Sequence, residues 1–206
     1  MRSHFHLLHH QATPLLLATI WDPASAVLAQ QQGAKAVGTS STALAWSLGY
    51  KDDEQLPAGE LLAAIKRIQR VNKLPLSVDI EQGYSEDPEQ VARLVLQLVA
   101  LGFVGINLDD GNDSPELLCA KNRSCREALA GKELFINART DVYLASLAEG
   151  KTAVDFCMER AALYQAAGAD GLFIPCLAEP LAIQQLCQAI QMPINLMWLA
   201  NLPDKT

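Results

Sequence analysis

Short apolar runs alternate with longer segments of mixed polarity along almost the whole chain. The first run, Leu15 to Ile20, is followed by Asp22-Pro23, an N-cap residue with proline at the first helical position. The helix opened there extends through Gln32 and stops at Gly33, and Ala34 to Thr39 reads as a second strand. A helix from about Ala58 to Asn72 leads into a third strand, Leu74 to Ile80. Helix Pro88 to Leu101 ends at Gly102, and Phe103 to Leu108 is the fourth strand. Helix Pro115 to Leu129, strand Glu133 to Ala138, helix Thr152 to Ala167 and strand Asp170 to Ile174 follow. Helix Glu179 to Ile190 and strand Met192 to Met197 complete the series. The glycines at Gly33, Gly102 and Gly168 read as helix C-caps that feed directly into the next strand.

Repeated βα units joined by short loops predict a parallel sheet covered by helices. Seven strands in this order favour a (β/α)8 barrel of the TIM type, formed as a single domain over residues 1–206. The eighth strand and its helix are not visible, so the expected barrel ends after strand seven. No GxGxxG opens the first helix, which counts against a dinucleotide fold. Hydrophobic residues make up 50% and charged residues 19% of the chain, which suits strands buried on both faces.

The net charge is −7, and Lys and Arg do not cluster, so a nucleic acid would meet a repulsive field. The longest apolar stretch, Leu94 towards Leu108, is interrupted by Gln97, Gly102 and Asn107, so no membrane span is expected. Five cysteines without a CxxC pair read as packing residues of a cytoplasmic protein. All four histidines, His4, His6, His9 and His10, lie in the first ten residues, in what reads as an exposed terminal segment or helix. That placement argues against a Ser-His-Asp triad inside a barrel mouth.

Parallel barrels place their chemistry at the C-terminal ends of the strands. Strand three ends in Asp79-Ile80-Glu81, and strand alternation gives Asp79 and Glu81 one direction. Strand four ends in Asn107-Leu108-Asp109-Asp110-Gly111, and strand five in Asn137-Ala138-Arg139-Thr140-Asp141. Strand two runs into a hydroxyl-rich turn, Thr39-Ser40-Ser41-Thr42, and Asp52 and Asp53 close the loop that follows. Each cluster alone has an ordinary reading as a cap, a turn or a surface ion pair, Arg139 with Asp141 among them. Their coincidence at successive strand ends points to a site. Two like charges ~4 Å apart repel by about 4 kcal/mol at an effective dielectric near 20, and one arginine cannot neutralise three or more acids. Oxygen donors without His or Cys select a hard cation, Mg²⁺ before Mn²⁺ or Ca²⁺.

At these residues the sequence resembles the isocitrate lyase / phosphoenolpyruvate mutase superfamily. The resemblance is carried by Thr19-Ile20-Trp21-Asp22-Pro23, Ala45-Trp46-Ser47-Leu48-Gly49-Tyr50-Lys51-Asp52 and Asp79-Ile80-Glu81-Gln82-Gly83-Tyr84, and continues in Asn107-Leu108-Asp109-Asp110-Gly111 and Asn137-Ala138-Arg139-Thr140-Asp141. It implies Mg²⁺-dependent cleavage or formation of a C–C or C–P bond next to a small 2-oxo acid, in a homo-oligomer. It further implies Asp79 as the direct metal ligand, with Glu81 and Asp109 holding the ion through water. Asp52 and Arg139 take catalytic places, while Trp21, Ser40, Ser41 and Arg139 bind substrate. Two departures stand out. Asp109 occupies a position where relatives carry Glu, and Asn112-Asp113-Ser114-Pro115 replaces the K-[KR]-C-G-H loop of the lyases. A catalytically inactive member that binds a small carboxylic acid, or scaffolds an oligomer, is therefore the alternative reading. A sugar-phosphate isomerase would want a glycine-rich grip, which Trp198-Leu199-Ala200-Asn201-Leu202 does not offer.

Overall fold

The computed structural model describes residues 4–52, 55–111 and 113–197. Asp53 and the segment Trp198 to Leu202 lie outside the described residues. Seven strands form one parallel sheet in sequence order: β1 (Ala18–Ile20), β2 (Val37–Thr39), β3 (Leu76–Asp79), β4 (Gly105–Asp109), β5 (Phe135–Arg139), β6 (Gly171–Ile174) and β7 (Ile194–Leu196). The principal helices between them are α2 (Pro23–Gln31), α4 (Ala58–Gln69), α5 (Pro88–Ala100), α6 (Pro115–Leu129), α7 (Gly150–Ala166) and α8 (Pro180–Ala189). The expected (β/α) barrel ending after strand seven is the fold observed.

One face of each strand carries the apolar residues that meet the helices. Ile106, Leu108, Ile136, Ala138, Leu172 and Ile174 are fully buried in the main core. Burial at this scale dominates the stability of such a domain. Local chemistry agrees with it at the helix ends. Asp22 accepts from the Ser25 N–H at 2.7 Å, and Ser25 Oγ accepts from the Asp22 N–H at 3.1 Å, so the start of α2 is capped reciprocally. Gly33, Gly102 and Gly168 take the positive φ expected of C-cap glycines.

Two short helices escape the periodicity. The hydroxyl-rich turn after β2 continues as α3 (Ser41–Ser47), with Ser40 as its N-cap accepting from the Ala43 N–H at 3.2 Å. The histidine-bearing segment forms α1 (His4–Leu8), and it is not simply exposed. Phe5 and Leu8 are buried against Ala36 and Phe135, with Leu15, Leu17 and Val104 around them. These neighbours precede or begin the strands, so α1 closes the end of the barrel opposite the strand C-termini. The same packing explains why β1 and β2 are shorter than expected. Leu15, Leu17 and Ala36 are apolar because they line this plug, not because they pair in the sheet.

His9 stacks on Phe135 with ring centroids 4.1 Å apart, and its Nδ1 lies 2.9 Å from the Phe5 carbonyl. Burial pushes its pKa below the ordinary value, against a smaller upward pull from the Phe5 carbonyl. The folded chain thus favours the neutral ring. Its contribution to stability is complete above the ordinary histidine value near 6.5 and is lost as pH falls below that value. Replacing His9 by Phe is expected to flatten the fall in melting temperature between pH 7 and pH 5. An unchanged slope in the variant would show that His9 does not carry this dependence.

Candidate active site

The C-terminal ends of β3, β4 and β5 bring the acids together, though not entirely by strand alternation. β3 ends at Asp79, and Glu81 sits in the following turn at φ 49. Alternation therefore does not orient Glu81. A non-glycine residue in the left-handed region costs on the order of 1 kcal/mol or more, and here hydrogen bonds hold it. The Glu81 N–H donates to Asp79 Oδ1 at 3.0 Å, and the Asp109 N–H donates to the Glu81 carbonyl at 2.8 Å. Tyr84 Oη reaches Glu81 Oε1 at 3.3 Å. Gly83 is required beneath this turn, since a Cβ there would come within 2.8 Å of Val91 on α5.

Asp79, Glu81 and Asp109 are all buried. Burial raises the pKa of Asp79, opposed by the Arg139 charge, the Glu81 N–H and the Asn107 amide, and reinforced by the charge of Asp52. Burial raises Asp109 further, with the charge of Asp79 next in importance and Asp141 and Glu81 adding to it. These mutual effects place the acids in one electrostatic neighbourhood. Asp52 belongs to its margin, accepting a 2.5 Å hydrogen bond from Thr42 Oγ1.

Arg139 sits among them. Its guanidinium lies 2.8 Å from Asp109 Oδ2 and donates to both oxygens of Asp141 at 2.6 and 2.9 Å. Burial works against its charge, but Asp109, Asp141 and Asp79 outweigh that effect and raise its pKa. The Arg139–Asp141 pair that has an ordinary structural reading therefore exists, and it holds the arginine inside the acid cluster. Ser40 and Ser41 stand at the start of α3, directly after β2. Trp21 lies at the end of β1, 40% exposed, with its backbone N–H bonded to Ser25 Oγ. No side-chain hydrogen bond ties Trp21 to the acids among the described residues. A hollow of about 230 Å³, lined by Gln82, Tyr84, Ser85, Glu86, Asp113 and Lys121, flanks the Glu81 turn; Asp79 and Asp109 do not line it.

The donor set fits a hard divalent cation. Asp109 Oδ1 is buried without a hydrogen-bond partner, a costly state for a carboxylate oxygen. Among the described residues no three His, Cys, Asp or Glu groups are arranged to hold a metal directly. An ion placed here would need water or ligand oxygens to complete its coordination. The histidines are at the opposite end of the barrel. Cys119 is buried with its thiol pushed up by burial, and Cys125 and Cys157 are pushed up to about 12, so all three are packing residues.

Sequence reasoning missed the support for this cluster. Asp110 is buried and accepts from the Asp141 N–H at 2.9 Å, from Arg160 at 2.5 Å and from Tyr164 Oη at 2.5 Å. An asparagine pair, Asn107 and Asn137, joined by a 2.9 Å hydrogen bond, lies beneath the acids. Asparagines at strand centres, where a barrel interior calls for apolar residues, were the available signal.

Comparison with known proteins agrees with this geometry. A protein-family model described as phosphoenolpyruvate phosphomutase matches residues 5–205. An uncharacterised Mycobacterium tuberculosis protein is 35% identical over 93% of this chain and 72% of its own length. The 2-methylisocitrate lyase of Escherichia coli K12 is 31% identical over 93% of this chain and 66% of its own. An oxaloacetate decarboxylase of Pseudomonas aeruginosa is 27% identical over 98% of this chain and 72% of its own. Among solved structures, a Burkholderia cenocepacia protein described as a candidate phosphonomutase superposes with a TM-score of 0.92 at 37% identity, covering 97% of this chain and 85% of that one. A phosphonopyruvate hydrolase solved with oxalate and Mg²⁺ shares the fold at 24% identity and a TM-score of 0.79, over 96% of this chain and 72% of its own. A buried carboxylate cluster at the barrel mouth and a family match over nearly the whole chain lead to one conclusion: the chain belongs to the phosphoenolpyruvate mutase / isocitrate lyase superfamily of enzymes.

Proposed function

We propose that this chain is a Mg²⁺-dependent enzyme (Mn²⁺ serving in its place) that breaks or forms a C–C or C–P bond next to a small 2-oxo acid, through an enolpyruvate-like intermediate. The observation that carries this reading is the unpartnered, buried Oδ1 of Asp109 beside Asp79, in a cluster where burial raises both acids and the charge of Asp79 raises Asp109 further. Asp79 is the residue to bond the ion, with Glu81 and Asp109 holding it through water. When bound, the cation supplies Lewis-acid stabilisation of the oxo oxygen as negative charge builds there.

The chain's own residues do the rest. Arg139, kept charged by Asp109 and Asp141, is a fixed cation for the developing enolate. Ser40, with a hydroxyl hydrogen to give, and Ser41 receive the carboxylate end of the substrate, and Trp21 covers it. Asp52 lines the same site and acts on the substrate through its charge.

One structural fact narrows the reaction class. Among the described residues, β4 passes through Gly111 and Asp113 into α6 without bringing a Cys or His to the mouth. Retro-aldol cleavage of a 2-hydroxy acid needs a base for the hydroxyl proton and an acid for the departing carbanion. Decarboxylation needs neither at the bond-breaking step. The C–C electron pair stays with the 2-oxo fragment as an enolate, CO₂ departs, and water later returns one proton to carbon. Loss of CO₂ from a 2-oxo diacid is therefore the favoured reaction, and the relationship to oxaloacetate decarboxylases supports it. The same absence favours the second reading, a family member that binds a small carboxylic acid without turning it over.

Calorimetry of the wild type is expected to show oxalate binding that requires Mg²⁺, and Asp79→Ala should abolish it while retaining the folded circular-dichroism spectrum. Oxalate binding that ignores both Mg²⁺ and residue 79 would refute the metal role. A screen of 2-oxo diacids then separates the two readings, since turnover supports the enzyme and binding alone supports the inactive member.

The raised pKa of Asp109 has a second consequence. An acid whose folded pKa lies above its ordinary value destabilises the fold once ionised, and stability rises as pH falls through the folded value. Asp109→Asn should therefore raise the metal-free melting temperature at pH 7, by about 2–4 °C per kcal/mol relieved. The gain should shrink at pH 5. A lower melting temperature in the variant would mean that the Arg139 pair outweighs the crowding.

A further inference from the structure

The interior of a parallel barrel is ordinarily packed with branched apolar side chains. Here strand register places Asp79, Asn107, Asn137 and Gly171 in one row across β3, β4, β5 and β6. The row is polar, and its members touch. Asn107 Nδ2 donates to Asp79 Oδ2 over a long 3.4 Å, and Asn137 Nδ2 donates to Asn107 Oδ1 at 2.9 Å. The fourth place has no side chain. A Cβ on Gly171 would stand 2.9 Å from Asn137 Oδ1 and 2.8 Å from the Phe135 ring. Through that gap Asn195 of β7, which belongs to the next row with Phe173, reaches Asn137 Oδ1 with its Nδ2 at 2.9 Å.

The directions of these bonds are not independent. An ionised carboxylate only accepts, so Asn107 must present its NH₂ to Asp79. Its oxygen is then left to accept from Asn137, whose own oxygen accepts from Asn195. A single carboxylate orients three amides in series, and each bond polarises the next. The far side of Asp79 is fixed as well, because Oδ1 accepts from the Glu81 N–H and the Asp79 N–H donates to Thr39 Oγ1 at 2.8 Å. Both carboxylate oxygens therefore have a donor, and the carboxylate plane is set from two directions.

We propose that Asn107, Asn137 and Asn195 form a positioning relay for Asp79, a one-way amide chain from β7 to the carboxylate that bonds the divalent cation. The inference rests on the metal role assigned to Asp79 above. It extends that role to a residue on the far side of the barrel that never meets the ion. Groups that orient a ligand from behind commonly govern metal affinity by about 10–100-fold. The relay also gives Gly171 a function, since any side chain there would close the gap through which Asn195 enters.

The test uses Mn²⁺ alone as the calorimetric titrant, with thermal unfolding of each metal-free variant as a control. Asn137→Leu, close to isosteric, removes the central link and is expected to weaken Mn²⁺ binding by about 10–100-fold. Asn195→Leu should weaken it less but measurably, and Asn195→Ala is run beside it in case the bulkier residue prevents folding. The double variant Asn137→Leu/Asn195→Leu should bind no more weakly than Asn137→Leu alone, because the chain is already cut. A purely structural role for Asn195 gives the opposite pattern, a lower melting temperature with Mn²⁺ affinity unchanged, and that result overturns the relay. Losses that simply add in the double variant overturn it too. If the wild type binds no Mn²⁺, the metal reading and the relay fall together; if it binds and both residue-195 variants match it, the relay alone fails.

Discussion

Three acids and one arginine share a space from which water is largely excluded, and the rest of the site is arranged to make that tolerable. Asp79, Glu81 and Asp109 would repel one another strongly if ionised together without a counter-charge. Arg139 offsets part of this, held by Asp109 on one side and gripped through two oxygens by Asp141 on the other. Burial raises the pKa of Asp79 and Asp109, the charge of Asp79 raises Asp109 further, and one Asp109 oxygen has no partner. Such an arrangement is costly as it stands, and the proposed cation would offset that cost. The fold accepts that cost because the acids sit on strand ends that the hydrophobic core already fixes.

Support for the cluster comes from two directions. From outside, Arg160 and Tyr164 on α7 bind Asp110, which fixes the backbone of Asp141 and through it the arginine. From inside, the asparagine row lies beneath Asp79. Neither support faces the barrel mouth. Ser40, Ser41, Asp52 and Trp21, proposed to receive the substrate, lie in the segments that follow β1 and β2.

Much of this was legible in the chain. Strand and helix alternation gave the element order because each unit carries its own stop signals, such as Asp22-Pro23 and Gly168. The acids at the ends of strands three and four could be found because a parallel barrel directs its chemistry there. Illegible features depended on three-dimensional neighbours. Strand parity could not foresee that Glu81 leaves the strand and converges through a left-handed turn. The histidine-rich start looked exposed because its apolar partners, Phe135 and Ala36, are far away in sequence. Asn195 gave no local sign of its role, because its partner lies 58 residues earlier and the contact depends on a glycine in an intervening strand.

The central claim is that a divalent cation explains the crowding of these acids, and diffraction from crystals grown with Mn²⁺ and oxalate tests it most directly. The anomalous signal of manganese should give one strong peak at the barrel mouth, bonded to Asp79 and joined to Glu81 and Asp109 through ordered water, with oxalate completing the shell. A peak elsewhere on the molecule, or no peak while oxalate occupies the mouth, would contradict the account.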